Sequence, residues 1–424
     1  MGSTDHDVTS AGTPHSFTPW TTSVKPFGPP RPLHLALLFI LLNHIPFTGM
    51  RLAVSLYAIH LGAAPGVVGA IVALFSVLPM VGSVHLGRLI DRKGMRLPML
   101  VAAGVLGCAN LLAALWPSVN TLFAVTALAG GAYITILIAG QQLVGRYGSA
   151  EERVGNYSTL STAFAVSLAL VPMLSGLLID HIGFRITFFG MAVLPFVSML
   201  LIAFDKLPML GPAERAVAPS AGSTANHANH ANAPKTSGAM ELVRNPDLFR
   251  LYTFSILFTV SWDMFLFLTP IHGARLGLSA SQIGVVVGTF SVAMFLVRMA
   301  AGHAAKQFTS RQLLLLCLSG AGLGCLGFGL VESLPLLIGC AFAMGLGQGL
   351  ANPTLNALLY DASPPERVAE AMGLRTSIGK TCQVALPLAA GSASALFGVA
   401  PVFWLIAAVQ LGAAWMARAQ WKVK

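Results

Sequence analysis

The stretch Gly69-Ala70-Ile71-Val72-Ala73-Leu74-Phe75-Ser76-Val77 has a counterpart 215 residues further on, Gly284-Val285-Val286-Val287-Gly288-Thr289-Phe290-Ser291-Val292. The same offset pairs Gly62 with Gly277, Gly87 with Gly302, Arg96 with Arg311, Pro172 with Pro387, Gly176 with Gly391, Gly183 with Gly398 and Phe188 with Phe403, with no gap. One unit has been duplicated end to end. In a chain this apolar, halves repeated in the same orientation predict parallel bundles related by an axis along the membrane normal, with a solute site between them.

Composition sets the class. Of 424 residues, 55% are hydrophobic and 9% charged, and the mean hydropathy is +0.75. A soluble domain carries about 25% charged residues. A spanning helix needs about 20 mostly apolar residues. Such runs begin near Leu33, Gly66, Leu97, Thr121, Tyr157, Ile186, Leu248, Gln282, Leu313, Leu334, Ala371 and Pro401. The prediction is an all-α membrane protein of twelve transmembrane helices, in two six-helix pseudo-symmetric bundles at 32–204 and 248–418. The five cysteines all fall inside the runs and imply no disulfide framework.

With both termini on the inside, nineteen of the 25 Lys and Arg residues fall on inside segments and two, Arg185 and Arg275, on outside loops. That is the bias that orients membrane proteins during insertion, so the basic balance is read as topogenic and no nucleic-acid partner is expected. Residues 1–31, rich in Ser, Thr and Pro, read as a disordered inside tail, and 419–424 as a second short tail. Residues 205–247 turn to Ala, Pro, Ser, Asn and His and read as a flexible inside linker. Its histidines, at 227 and 230, have no Cys or acidic neighbours, so no metal is expected.

After the second run comes Gly87-Arg88-Leu89-Ile90-Asp91-Arg92-Lys93-Gly94-Met95-Arg96. Gly87 would permit close backbone approach there, and Asp91 suits the positive end of a helix. This loop closely resembles the G-x-L-x-D-R-x-G-R/K loop of major facilitator superfamily transporters of the bacterial twelve-helix type. With the repeat and the run count, the resemblance covers essentially the whole chain. It implies a conformational latch of Gly87, Asp91, Arg92, Gly94 and Arg96, with Asp91 at the start of the eleventh helix, near 369–373, holding the halves in the outward-open state. The second copy has Lys306 where the first has Asp91, so one half alone carries the latch. Two further signatures of the family match poorly. The fourth run has no Arg ahead of Gly130-Gly131, and in the fifth only Pro172 and Gly176 survive of G-P-x-x-G-G.

Charge inside a membrane is costly and marks candidate function. Four cations remain there, Arg51, Arg298, Arg375 and Lys380, against one acid well inside a run, Asp263. Runs three, six, nine and twelve carry no charge in their middles; their strongest polar residues are Asn110 and Gln410. The remaining polar candidates are Asn43, His44, Gln141, Gln142, Gln348, Asn352, Asn356 and Gln383. The resemblance implies a central cavity lined by the runs that hold them. Arg298 and Arg375 lie near helix ends, where Arg also serves as an anchor. Asp263 is suited either to carry a proton or to act as the counter-ion of Arg51, since the repeat places it opposite Thr48, one turn from Arg51. His44 is either a coupling group or a helix contact.

The reading is a secondary active transporter of a small organic solute, working by alternating access and driven by the proton gradient in a bacterial inner membrane, as a monomer and with export preferred. Uptake of an organic anion is the competitor, because in-membrane cations exceed acids. No cofactor is expected. A phosphate loop of the G-x-x-x-x-G-K-[ST] type is missing, a receptor would add a folded signalling domain, and a membrane enzyme would need a clustered catalytic set.

Overall fold

The computed structural model describes residues 32–146, 150–204, 239–300, 307–364 and 367–420. The expected tails, most of the linker, and Gly302 and Lys306 lie outside the described residues, as do the side chains of Asp91 and Arg92. The described residues form helices and connecting turns, with no strand among them. The first half holds α1 (Pro32–His60), α2 (Pro65–Lys93), α3 (Arg96–Leu115), α4 (Val119–Arg146) and α5 (Ala150–Ala203). Then come α6 (Ala239–Arg244), α7 (Pro246–Arg275), α8 (Ala280–Met299), α9 (Ser310–Phe328), α10 (Leu334–Gly349), α11 (Ala351–Ala362), α12 (Val368–Phe397) and α13 (Val399–Gln420).

Among the described residues, ten helices are long and apolar enough to cross a membrane. One apolar stretch, Gly155–Ala203, is 49 residues long. At about 1.5 Å per residue that is more than twice a bilayer's hydrocarbon core. Gly183 divides it, with φ 76°. The helix α12 is not among the ten, and it carries Glu370, Arg375 and Lys380.

The duplication is written into the backbone. Gly62 and Gly277 have φ of 80° and 71°, and Gly183 and Gly398 have φ of 76° and 87°. Each pair turns the chain between equivalent helices through a region that a side chain disfavours. Side-chain contacts repeat as well. Arg96 donates to the carbonyls of Ile202 and Ala203 at the end of α5, and Arg311 donates to that of Arg418 in α13, which is 215 residues beyond Ala203.

Within the expected linker, 205–247, the described residues hold α6, and Asn245 caps α7 by accepting from the amides of Asp247 (3.0 Å) and Leu248 (3.4 Å). The cause is apolar. Leu242, buried, packs in one cluster with Leu248 and Leu251.

Within the first half α5 packs on α1 and α3, and α4 on α2 and α3; in the second, α10 packs on α8 and α9, α13 on α9 and α12 on α7. The halves meet chiefly through α5 with α8 and α2 with α12. Both seams close at the ends beside the 61–64 and 276–279 turns. A Cβ on Gly284 would sit 3.2 Å from Met173 Cα, and one on Gly69 would sit 3.3 Å from Gly391 Cα. Small residues let membrane helices approach this closely. Asp180 fastens the α5–α8 seam by accepting from the amides of Ala280 (3.0 Å) and Ser281 (2.7 Å). At the opposite face, where the latch is expected, a side chain at Gly87, or at Gly373 in the expected docking segment, would meet nothing within 4 Å among the described residues.

Candidate functional site

A cavity of about 260 Å³ lies between the halves, walled by α1, α2, α4, α5, α7, α8 and α12. Its lining follows the duplication. Phe47 and Trp262, Thr48 and Asp263, Arg51 and Leu266, Leu52 and Phe267 are pairs 215 apart, and so are Val72 and Val287, Ser76 and Ser291, Leu168 and Gln383, Pro172 and Pro387. Only His44, Ser55 and Tyr133 line it without a partner copy. The wall is therefore symmetric in position and asymmetric in chemistry. One half supplies Arg51 where the other has Leu266, and the other supplies Asp263 where the first has Thr48.

Asp263 is buried, with 5% of its surface exposed, and its Oδ2 has no hydrogen-bond partner. The charges of Arg51 and Lys380 both act on it. Neither comes within ion-pair distance among the described residues. Lys380 instead donates to Gln383 Oε1 at 3.1 Å. An anionic carboxylate stripped of water needs such partners, so Asp263 is placed where a proton or a ligand donor would satisfy it.

On the facing wall His44 Nδ1 lies 2.5 Å from Tyr133 Oη, and Nε2 lies 3.4 Å from Thr48 Oγ1. The ring packs 4.2 Å from Phe164, and Tyr133 stacks on Phe47 at 3.8 Å with the rings 6° from parallel. Both nitrogens of His44 are thus engaged by hydroxyls. A flat aromatic face and a guanidinium stand on one wall, a carboxylate and an indole on the other.

Of the sequence candidates, His44, Arg51, Asp263 and Gln383 line the cavity, and Lys380 reaches it through Gln383. The others do not. Asn43 is spent on packing, donating to Phe39 O and to Ser198 Oγ, both at 2.8 Å. Gln348 donates to Phe258 O at 3.3 Å and ties α10 to α7. Gln141 is exposed near the end of α4, with Gln142 beside it, and its carbonyl accepts from Tyr157. Arg298 is exposed and donates to Gly349 O, the last carbonyl of α10, at 3.2 Å. Arg375 gathers Ser255, Asn352 and Asn356 around its guanidinium. Within the expected latch, Gly94 caps α2 in a left-handed turn, and Arg96 is bound within its own half. The lining residues that polarity alone passes over are the aromatic ones, Phe47, Tyr133 and Trp262, and the repeated serines.

The sequence profile of the Major Facilitator Superfamily matches residues 36–280 and 251–420. The fold and the between-halves cavity define a membrane transporter, not an enzyme. The chain belongs to the Major Facilitator Superfamily. Among solved structures, the nucleoside transporter NupG is similar at TM-score 0.73 and 14% identity, covering 93% of this chain and 100% of that one. A POT family transporter in complex with 5-aminolevulinic acid gives TM-score 0.73 and 15% identity, over 93% and 97% of the two chains. The peptide transporter POT in complex with sulfate gives 0.73 and 17%, over 93% and 95%. These likenesses are of fold. No curated protein matches the chain by sequence.

Proposed function

We propose that the protein is a proton-coupled secondary transporter of a small organic solute, moving it by alternating access across a bacterial inner membrane. In this reading the chain crosses twelve times, and the basic bias of the sequence orients the termini and the linker inside and the clasped face outside. Asp263 is the proton site and Arg51 the group that meets the solute. The observation that carries this reading is the buried, partnerless Oδ2 of Asp263 on the wall that faces Arg51 across the cavity. Access from the two sides in turn would change the water and the partners of that carboxylate, which is how a proton is loaded on one side and released on the other.

Export is the working direction. A second reading, uptake of an organic anion, is favoured by the charges around the cavity, where Arg51 and Lys380 outnumber Asp263. The test is transport by purified protein in liposomes under an imposed pH gradient. The panel spans amphipathic compounds, organic acids, nucleosides, short peptides and 5-aminolevulinic acid, the last three suggested by the ligands or names of the similar structures. Movement with the proton gradient marks uptake, and movement against it marks export. Transport indifferent to the gradient would remove the proton from the mechanism.

A further inference from the structure

The cations outside the central cavity are not all anchors. Arg375 stands on α12 eight residues before Gln383 and reaches Ser255 on α7, which lies seven and eleven residues before Trp262 and Leu266, on one face of that helix. Gln383, Trp262 and Leu266 line the cavity. Arg375 therefore points along the same path, about 12 Å nearer the unclasped face. Next to Gly379 the path is open, since a side chain there would meet nothing closer than Thr259 Oγ1, at 4.0 Å.

The partners of Arg375 define what it presents. Its Nε donates to Ser255 Oγ at 2.7 Å, one terminal nitrogen donates to Asn352 Oδ1 at 2.5 Å, and the other donates to Asn356 Oδ1. A guanidinium has donors and no acceptor, so each asparagine must turn its oxygen inward and its amide hydrogens away. No carboxylate pairs with Arg375 among the described residues. Asn352 and Asn356 are both exposed. The result is a positive charge ringed by outward-facing donors, with nothing negative to balance it. Two amides held this way offer their hydrogens beside the guanidinium charge, donors that an oxyanion can accept.

We propose that Arg375, Asn352 and Asn356 form a docking site for the carboxylate of the transported solute, at the mouth of the path and separate from the central cavity. The inference rests on the transport reading above and adds an acidic group to the solute. The site holds the anionic end while the rest of the molecule enters beneath Gln383, and Arg51 takes it over. A phosphate of an anionic lipid headgroup has the same chemistry and is the alternative occupant that the test must separate.

The experiment is chemical modification of arginines by p-hydroxyphenylglyoxal, followed by mass spectrometry of the full-length protein in phosphatidylcholine nanodiscs. The probes are benzoate and its neutral analogue benzamide. Benzoate is expected to slow modification of the half-buried Arg375 several-fold, benzamide to leave it unchanged, and Arg298, which is exposed, to react alike in both. Asn352→Ala is expected to raise the benzoate concentration needed about tenfold, the size of one lost hydrogen bond to a charged group. Unchanged modification of Arg375 in benzoate, or equal slowing of Arg298, overturns the proposal. So does slowing by phosphatidylglycerol nanodiscs alone, with no further effect of benzoate, which would make the site a lipid site. The readout needs no turnover, so failure of proton coupling and failure of this site are seen separately.

Discussion

Asp180 Oδ2 sits 2.7 Å from the amide nitrogen of Ser281, and Oδ1 sits 3.0 Å from that of Ala280, so a carboxylate of the first half caps a helix of the second. The bond has no copy. The position 215 residues after Asp180 is Ala395, and among the described residues no side-chain hydrogen bond crosses the matching α2–α12 seam, where the backbones of Gly69 and Gly391 come close. An anion at a helix N-terminus meets both free amides and the positive end of the macrodipole. One side chain thus fastens one of two otherwise equivalent seams.

Asp180→Ala is expected to favour the state open at the clasped face. Loss of an exposed cap of this kind costs about 0.5–2 kcal/mol, so the shift should be several-fold. The measurement is labelling of Ser291→Cys, in a protein lacking its five native cysteines, by a membrane-impermeant thiol reagent added outside. Labelling no faster than in the parent would show that the cap does not control opening.

Gly284→Val and Gly69→Val are each expected to prevent closure at the same face, because the new side chain would strike the backbone of the opposing helix. Helix backbone cannot move aside as a side chain can. Both variants should keep external solute binding and lose turnover. If either transports at the normal rate, the seams do not close in the cycle as they do here.

Asp91→Ala should act in the opposite sense to Asp180→Ala. The latch implied by the family resemblance belongs to the state in which the unclasped face is shut, and Gly87 and Gly373 stand clear of other atoms among the described residues here. Labelling of the cavity cysteine from outside should slow in Asp91→Ala. The double variant should return toward the parent, since two opposing changes to one equilibrium offset each other.

Asp263→Asn is expected to abolish accumulation against a gradient while sparing exchange between equal pools, because an amide cannot carry the proton. Uphill transport by this variant would end the proton-carrier role. If Asp263 serves only to balance Arg51, neutralising both should restore what either single change destroys.

A reporter placed near Gly222 should score as inside, and a periplasmic score would reverse the whole topology. This is the prediction that depends least on side chains, since nineteen cations against two set the orientation.

Much of the architecture was legible before any coordinates, and for a physical reason. Duplication at a constant offset survives only where both copies keep the same fold, so Gly183 and Gly398 announce the same turn twice. The cavity was legible in the same way but had to be read through the offset rather than through polarity. Asn43 and Gln348 look like cavity groups because they are polar within apolar helices. Each instead spends its amide on a neighbouring helix, on Ser198 and on the Phe258 carbonyl. Polarity reports that a group needs a partner. It does not report on which side of the helix the partner lies. Tyr133 and Trp262 left no signal at all, since an aromatic ring in a membrane helix is ordinary until the cavity beside it is known.

The paired lining gives the cavity two equivalent seats for every side chain. Thr48 and Asp263 occupy places that the repeat makes equivalent, as do Arg51 and Leu266. A transporter built this way can have its charges exchanged between walls without rebuilding: Thr48→Asp with Asp263→Thr moves the acid to the opposite wall, and Arg51→Leu with Leu266→Arg moves the cation. Four substitutions give the pocket a half-turn about the membrane normal, and the ancestral single unit, paired with itself, would have offered solutes two equal orientations.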